Sequence, residues 1–184
     1  MKLTPVKRLV FTAACIALCV VLPLAFHTIP NAGTVFLPMH IPVFLCGLIC
    51  GWQYGASVGL ILPVFRSLLF GMPPLYPTAI SMSVELCIYG LAVGFIFCLF
   101  RKQSLLAVYT ALVSAMILGR IAWGGCQIVL LSMEGNTFTL SAFAAGALFN
   151  AIPGIILQLL LIPAVMTSLH ITGIKRYRER PSAD

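Results

Sequence analysis

Acidic residues are nearly missing from this chain: Asp and Glu together number 4 in 184 residues, and all charged side chains make up 8%. A soluble domain carries roughly 25% charged residues, so this composition cannot cover a water-facing surface. The phosphate cradle of a nucleotide motor is missing too. No G-x-x-x-x-G-K-[ST] occurs, and any ATP-driven work therefore needs a second chain. There is no C-x-x-C and no H-E-x-x-H, and the three histidines lie far apart in the chain. The seven cysteines, at 15, 19, 46, 50, 87, 98 and 126, all fall in apolar stretches, where a thiol behaves as a small hydrophobe. Cys46 and Cys50, four apart, read as one packed helical face. Neither a disulfide nor a metal site is expected from such spacing, and no cofactor is implied.

What the chain has in abundance is apolar sequence: 61% hydrophobic residues and a mean hydropathy of +1.09. About 20 apolar residues cross a bilayer as a helix, which leaves room for about six spans and no soluble domain. The expected fold is all-α, a single membrane domain over residues 1–184. Its spans fall near 8–28, 36–51, 54–70, 78–100, 105–131 and 140–168. The basic start followed by the run from Leu9 to Phe26 is long enough to span, so it reads as a retained first helix and not as a cleaved leader. The second segment is short and carries Pro38 and Pro42, which predicts a kinked or unwound outer end. Pro153 and Pro163 are expected to bend the last. The net charge of +7 does not signal nucleic acid. All basic residues except Arg66 and Arg120 cluster on one side of a six-span topology, in the segments around Lys7, Arg101 and Arg176. That side is expected to be cytoplasmic, with both termini inside and membrane lipid around the bundle.

Arg66, Glu85 and Arg120 are the charges left within apolar segments. An unpaired charge in hydrocarbon costs at least about 2.5 to 3.5 kcal/mol, so such residues face a protected interior and mark a ligand or ion site. Counting helical rise from the outer ends puts Arg66, Glu85, Arg120, Gln127, Asn150 and His40 in one outer-half layer, contributed by five helices. Trp123 lies one turn from both Arg120 and Gln127 and can offer a ring platform on their face. An internal ion-pair network would account for the charges by packing alone, but it leaves one positive charge in excess. A ligand of anionic or acceptor character would relieve it. Among the outer connections at 29–35, 71–77 and 132–139, the second is stiffened by three prolines, and Tyr76 and Met72 could supply its contact surface. It serves equally as a tight turn or as a lid.

The stretches FLPMHIPVFLCGLICGWQYGASVGLILP and GMPPLYPTAISMSVELCIYG resemble the S components of energy-coupling factor (ECF) vitamin transporters, the membrane subunits that bind substrate. The resemblance extends over the whole chain. It implies a six-helix bundle that captures a micronutrient near the outer face and docks on a transmembrane coupling subunit carrying two ATPase subunits. It also implies that the A-x-x-x-A pattern of Ala13 and Ala17 forms the docking stripe, because small residues four apart let another helix pack closely. Loops 29–35 and 71–77 would then act as the outer gate, and the loaded subunit would topple in the bilayer to face the cytoplasm. Pantothenate, a cobalamin fragment and a thiamine precursor all stay open as ligands.

Two other readings compete. A stand-alone carrier could use Glu85 as a proton-binding group, though no internal repeat of the kind such carriers show is visible between the halves. An intramembrane enzyme would want paired carboxylates or a His-rich metal site. Glu85 is the only acid clearly inside the membrane, so catalysis is not expected.

Overall fold

The computed structural model of the chain describes residues 4–25, 37–133, 135, 139 and 151–174. Among them are six α-helices and no strands: α1 Pro5–Ala25, α2 His40–Cys50, α3 Trp52–Phe70, α4 Ile80–Leu99, α5 Leu105–Met133 and α6 Ile152–Ile171. All but α2 are long and apolar enough to cross a membrane. Residues 29–35, expected to form an outer loop, Asn150, residues 140–149 and the basic tail from Lys175 lie outside the described residues.

The second segment departs most from expectation. α2 has 11 residues, every one of them buried, and is thus about 17 Å long, roughly half a bilayer core. It packs against α1, α3 and α4 and forms the centre of the bundle. Its start is set by Leu37, a non-glycine residue at φ 48. The Leu37 carbonyl accepts the His40 N–H at 3.0 Å. A left-handed leucine costs on the order of 1–2 kcal/mol, and it is held by burial of Leu37, Pro38 and Met39 alike. Strain of this kind is retained where the surroundings over-determine it. Here it places His40 at the positive end of a buried helix. At the other end Gly51, at φ 113 and ψ 165, reverses the chain in a single residue before α3, a conformation open to glycine.

Contact between α2, α3 and α4 runs along glycine. A Cβ on Gly59 would come within 2.2 Å of the Leu86 carbonyl, and one on Gly90 within 2.2 Å of the Gly55 backbone. Gly47 and Gly94 are also covered, with nearest contacts of 2.6 Å to a Cβ at either position. Lipid tails are as apolar as leucine, so close backbone packing, not hydrophobicity, holds such helices together. α5 lies along α4 with the stripe Ala107, Ala111, Ala115 and Gly119, and α6 touches α5 and α2. α3 ends at Gly71, a left-handed C-cap whose N–H donates to the Ser67 carbonyl. The Pro-rich segment then follows. Pro153 falls in the first turn of α6, where a missing N–H is harmless, so it starts that helix and does not bend it.

Candidate functional site

Glu85 is the hub of the buried polar residues. It lies on α4, about 8 Å from the start of that helix by rise, and is 2% exposed. The Arg120 guanidinium on α5 approaches its Oε1 at 3.0 Å. The Tyr89 hydroxyl, one turn further along α4, donates to the same oxygen at 2.8 Å. His40 on α2 has Nε2 at 3.9 Å from Glu85 Oε2, beyond hydrogen-bond reach. Three helices thus bring a carboxylate, a guanidinium and an imidazole together.

The register of α4 on α5 explains the placement. Tyr89 lies across Gly119, where a Cβ would sit 2.2 Å from its ring. That contact seats the phenol beside Arg120 and below Glu85. Tyr89 also stacks near His40 and Phe44, with ring centroids at 5.4 Å and 4.8 Å. Its position could have been found from sequence, since i and i+4 share a helical face; an aromatic residue among so many draws no notice, whereas a lone carboxylate does.

Several buried polar atoms on α2 and α5 have no hydrogen-bond partner among the described residues: both ring nitrogens of His40, Arg120 Nε and Gln127 Oε1. His40 is 1% exposed. Buried polar groups are normally paired, because each unmet one costs about 1–3 kcal/mol. Gln127 stands seven residues beyond Arg120 and Trp123 three, which places both on the Arg120 side of α5. Gln158 of α6 belongs to the same class. It is buried, its Nε2 has no partner among the described residues, and it escaped sequence reading because an amide within a long apolar run carries no charge to mark it.

Arg66 is drawn elsewhere. It is 8% exposed, yet no carboxylate lies within ion-pair distance of it among the described residues. Its Nη1 donates instead to the Met72 carbonyl at 3.2 Å, and its guanidinium lies 5.9 Å from the centre of the Phe70 ring. The reason is local: Gly71 turns the chain back over the end of α3 and delivers a carbonyl to the arginine six residues before it. Tyr76, in the same segment, donates its hydroxyl to the Leu130 carbonyl of α5. The segment 71–77 is thus tied to both α3 and α5.

One sequence pattern associated with hydrolases occurs at Gly55-Ala56-Ser57-Val58-Gly59. A nucleophile elbow needs a strand-to-helix turn. Here the pattern lies inside α3, both glycines serve helix packing, and the exposed Ser57 hydroxyl donates to the Gln53 carbonyl at 3.0 Å. No cluster of three or more His, Cys, Asp or Glu suited to a metal occurs among the described residues.

On α1, Thr12, Cys15 and Cys19 face inward; Cys19 meets the Met39 carbonyl, and Cys46 of α2 meets Thr12. Ala13 and Ala17 lie on the other side and are exposed.

Residues 7–166 match the family model described as ECF transporter, substrate-specific component. No curated protein and no solved structure gives a significant match.

Proposed function

Because the chain belongs to the substrate-specific components of ECF transporters, we propose that it captures a vitamin or related micronutrient from outside a prokaryotic cell and releases it inward. Energy comes from a separate transmembrane coupling subunit and two ATPase subunits. The family is one of multi-pass transport subunits and not of enzymes. The observation that carries the reading is the convergence of Glu85, Arg120 and His40, with unpartnered buried atoms, inside a bundle of this family. In this reading Arg120, His40, Trp123 and Gln127 contact the substrate, and Glu85 holds Arg120 in place. Arg66 and Tyr76 secure the 71–77 segment as an outer cover. Both termini face the cytoplasm, in keeping with the basic residues around Lys7, Arg101 and Lys102.

The exposed Ala13 and Ala17 form the surface on which the coupling subunit packs. Replacing both by tryptophan adds bulk where two backbones must approach. ATP-driven uptake into proteoliposomes should fall at least about tenfold, while substrate binding by the isolated subunit is retained, since neither residue faces the interior. Uptake by the unmodified chain driven by a proton gradient alone, without the coupling and ATPase subunits, would establish a stand-alone carrier instead.

A further inference from the structure

We propose that the group seated against Glu85, Arg120 and His40 is an uncharged ring edge that presents a hydrogen-bond donor and an acceptor side by side, as a lactam, an imide or an aminopyrimidine does. The inference rests on the substrate-capture reading and narrows its ligand. Charge comes first. Glu85 and Arg120, 3.0 Å apart, cancel within the site, so the excess positive charge expected from sequence is not found here. It resides on Arg66, which is engaged with Met72 and Phe70 at the loop. A carboxylate or phosphate entering beside Arg120 would meet the carboxylate of Glu85 in a medium of low dielectric, and a cation would meet Arg120 itself. A neutral group avoids both.

Valence then specifies the edge. In its neutral form an imidazole has one N–H and one acceptor nitrogen. Both ring nitrogens of His40 are buried with no hydrogen-bond partner among the described residues, Nε2 lying 3.9 Å from Glu85 Oε2. Tyr89 and Phe44 back the ring, so it is not placed to turn away and satisfy itself elsewhere. Arg120 Nε adds a second donor, and Gln127 Oε1, two turns along the same face of α5, adds a second acceptor. Two unmet donors and two unmet acceptors match a partner of mixed character. A carboxylate, which only accepts, would leave the acceptors of His40 and Gln127 stranded. Trp123, one turn from Arg120, supplies a face on which a flat ring can stack.

The experiment uses the full chain purified from cells grown in rich medium. The compound released by denaturation is identified by mass spectrometry and titrated back, by calorimetry, into ligand-depleted protein. Two derivatives are titrated beside it: one N-methylated at the donor edge, and one lacking any acidic group. The expected result is a compound with a neutral donor-acceptor edge, whose N-methylation weakens binding at least about a hundredfold, because a site built for hydrogen bonds rejects a partner that lacks them. Loss of an acidic group should cost less than about tenfold by the same measure. His40→Phe and Gln127→Leu should each weaken the parent compound at least about tenfold, the loss expected when a buried hydrogen bond is removed. The titrations into unmodified protein decide the question even where a variant fails to fold. A compound bound through an essential carboxylate or phosphate and indifferent to N-methylation would overturn the inference and leave the capture reading standing. No retained compound, together with no ATP-driven uptake from the same medium, would defeat the capture reading and this inference with it.

Discussion

Glu85→Ala is expected to destabilise the folded chain by about 3 to 5 kcal/mol, the cost of leaving a buried arginine without its counter-charge. Arg120 loses the oxygen at 3.0 Å, and the Tyr89 hydroxyl loses its acceptor at 2.8 Å. Hydrocarbon on the far side of the helices offers no water to replace them. Unfolding in detergent, followed by SDS titration, would measure the loss, and stability equal to the unmodified chain would show that Glu85 is not the hub. The double replacement Glu85→Leu with Arg120→Met separates stability from capture. Swapping a buried ion pair for apolar residues of similar size is often neutral or stabilising, so stability should recover in large part, offset by the Tyr89 hydroxyl left unpaired. Binding should not recover. Loss of the Arg120 hydrogen bond to a buried ligand group is expected to cost about 1.5 to 3 kcal/mol of affinity. A double variant that binds as well as the unmodified chain would assign the pair to packing alone.

Gly59→Ala is expected to cost about 3 kcal/mol, at the upper end of what overpacking a tight interface produces. The added Cβ would lie 2.2 Å from the carbonyl oxygen of Leu86 and 2.4 Å from its carbon. Both are backbone atoms of α4, so no side-chain rotation relieves the clash. α3 and α4 must separate, and the separation reaches Glu85, adjacent to Leu86. Gly125→Ala is the control: a Cβ there meets nothing within 4 Å, and the change should stay within about 0.5 kcal/mol. Thermal unfolding of the two variants in the same detergent gives the comparison. Equal melting temperatures would mean that the α3–α4 seam is looser than its geometry.

Much of the architecture was legible from composition and punctuation. The apolar runs near 54–70, 78–100 and 105–131 became α3, α4 and α5 with ends shifted by two residues or fewer, because Gly71, the prolines after it and the Arg101–Lys102 pair interrupt them sharply. The second run was harder. Its hydropathy suits a span, but Pro38 and the strained Leu37 delay the helix to His40, and 11 helical residues by themselves cover only about half of a bilayer core. For the site, Glu85 and Arg120 were singled out by charge in an apolar setting and His40 by its counted depth, and the three do meet. Arg66 carried the same signal and points to a loop carbonyl instead. Depth along a helix can be counted from sequence, whereas the direction in which a long side chain reaches depends on which carbonyls the neighbouring turn presents. Tyr89 and Gln158 were passed over because neither carries a charge.

The sequence by itself determined that this is a bundle of membrane helices with a few polar groups confined to its interior, since hydrocarbon penalises exposed charge at every position independently of the fold. Only the tertiary structure decided which of those groups are partners, because pairing depends on how closely backbones approach. That approach is set by glycine contacts between residues distant in the chain, such as Gly59 with Leu86 and Gly119 with Tyr89.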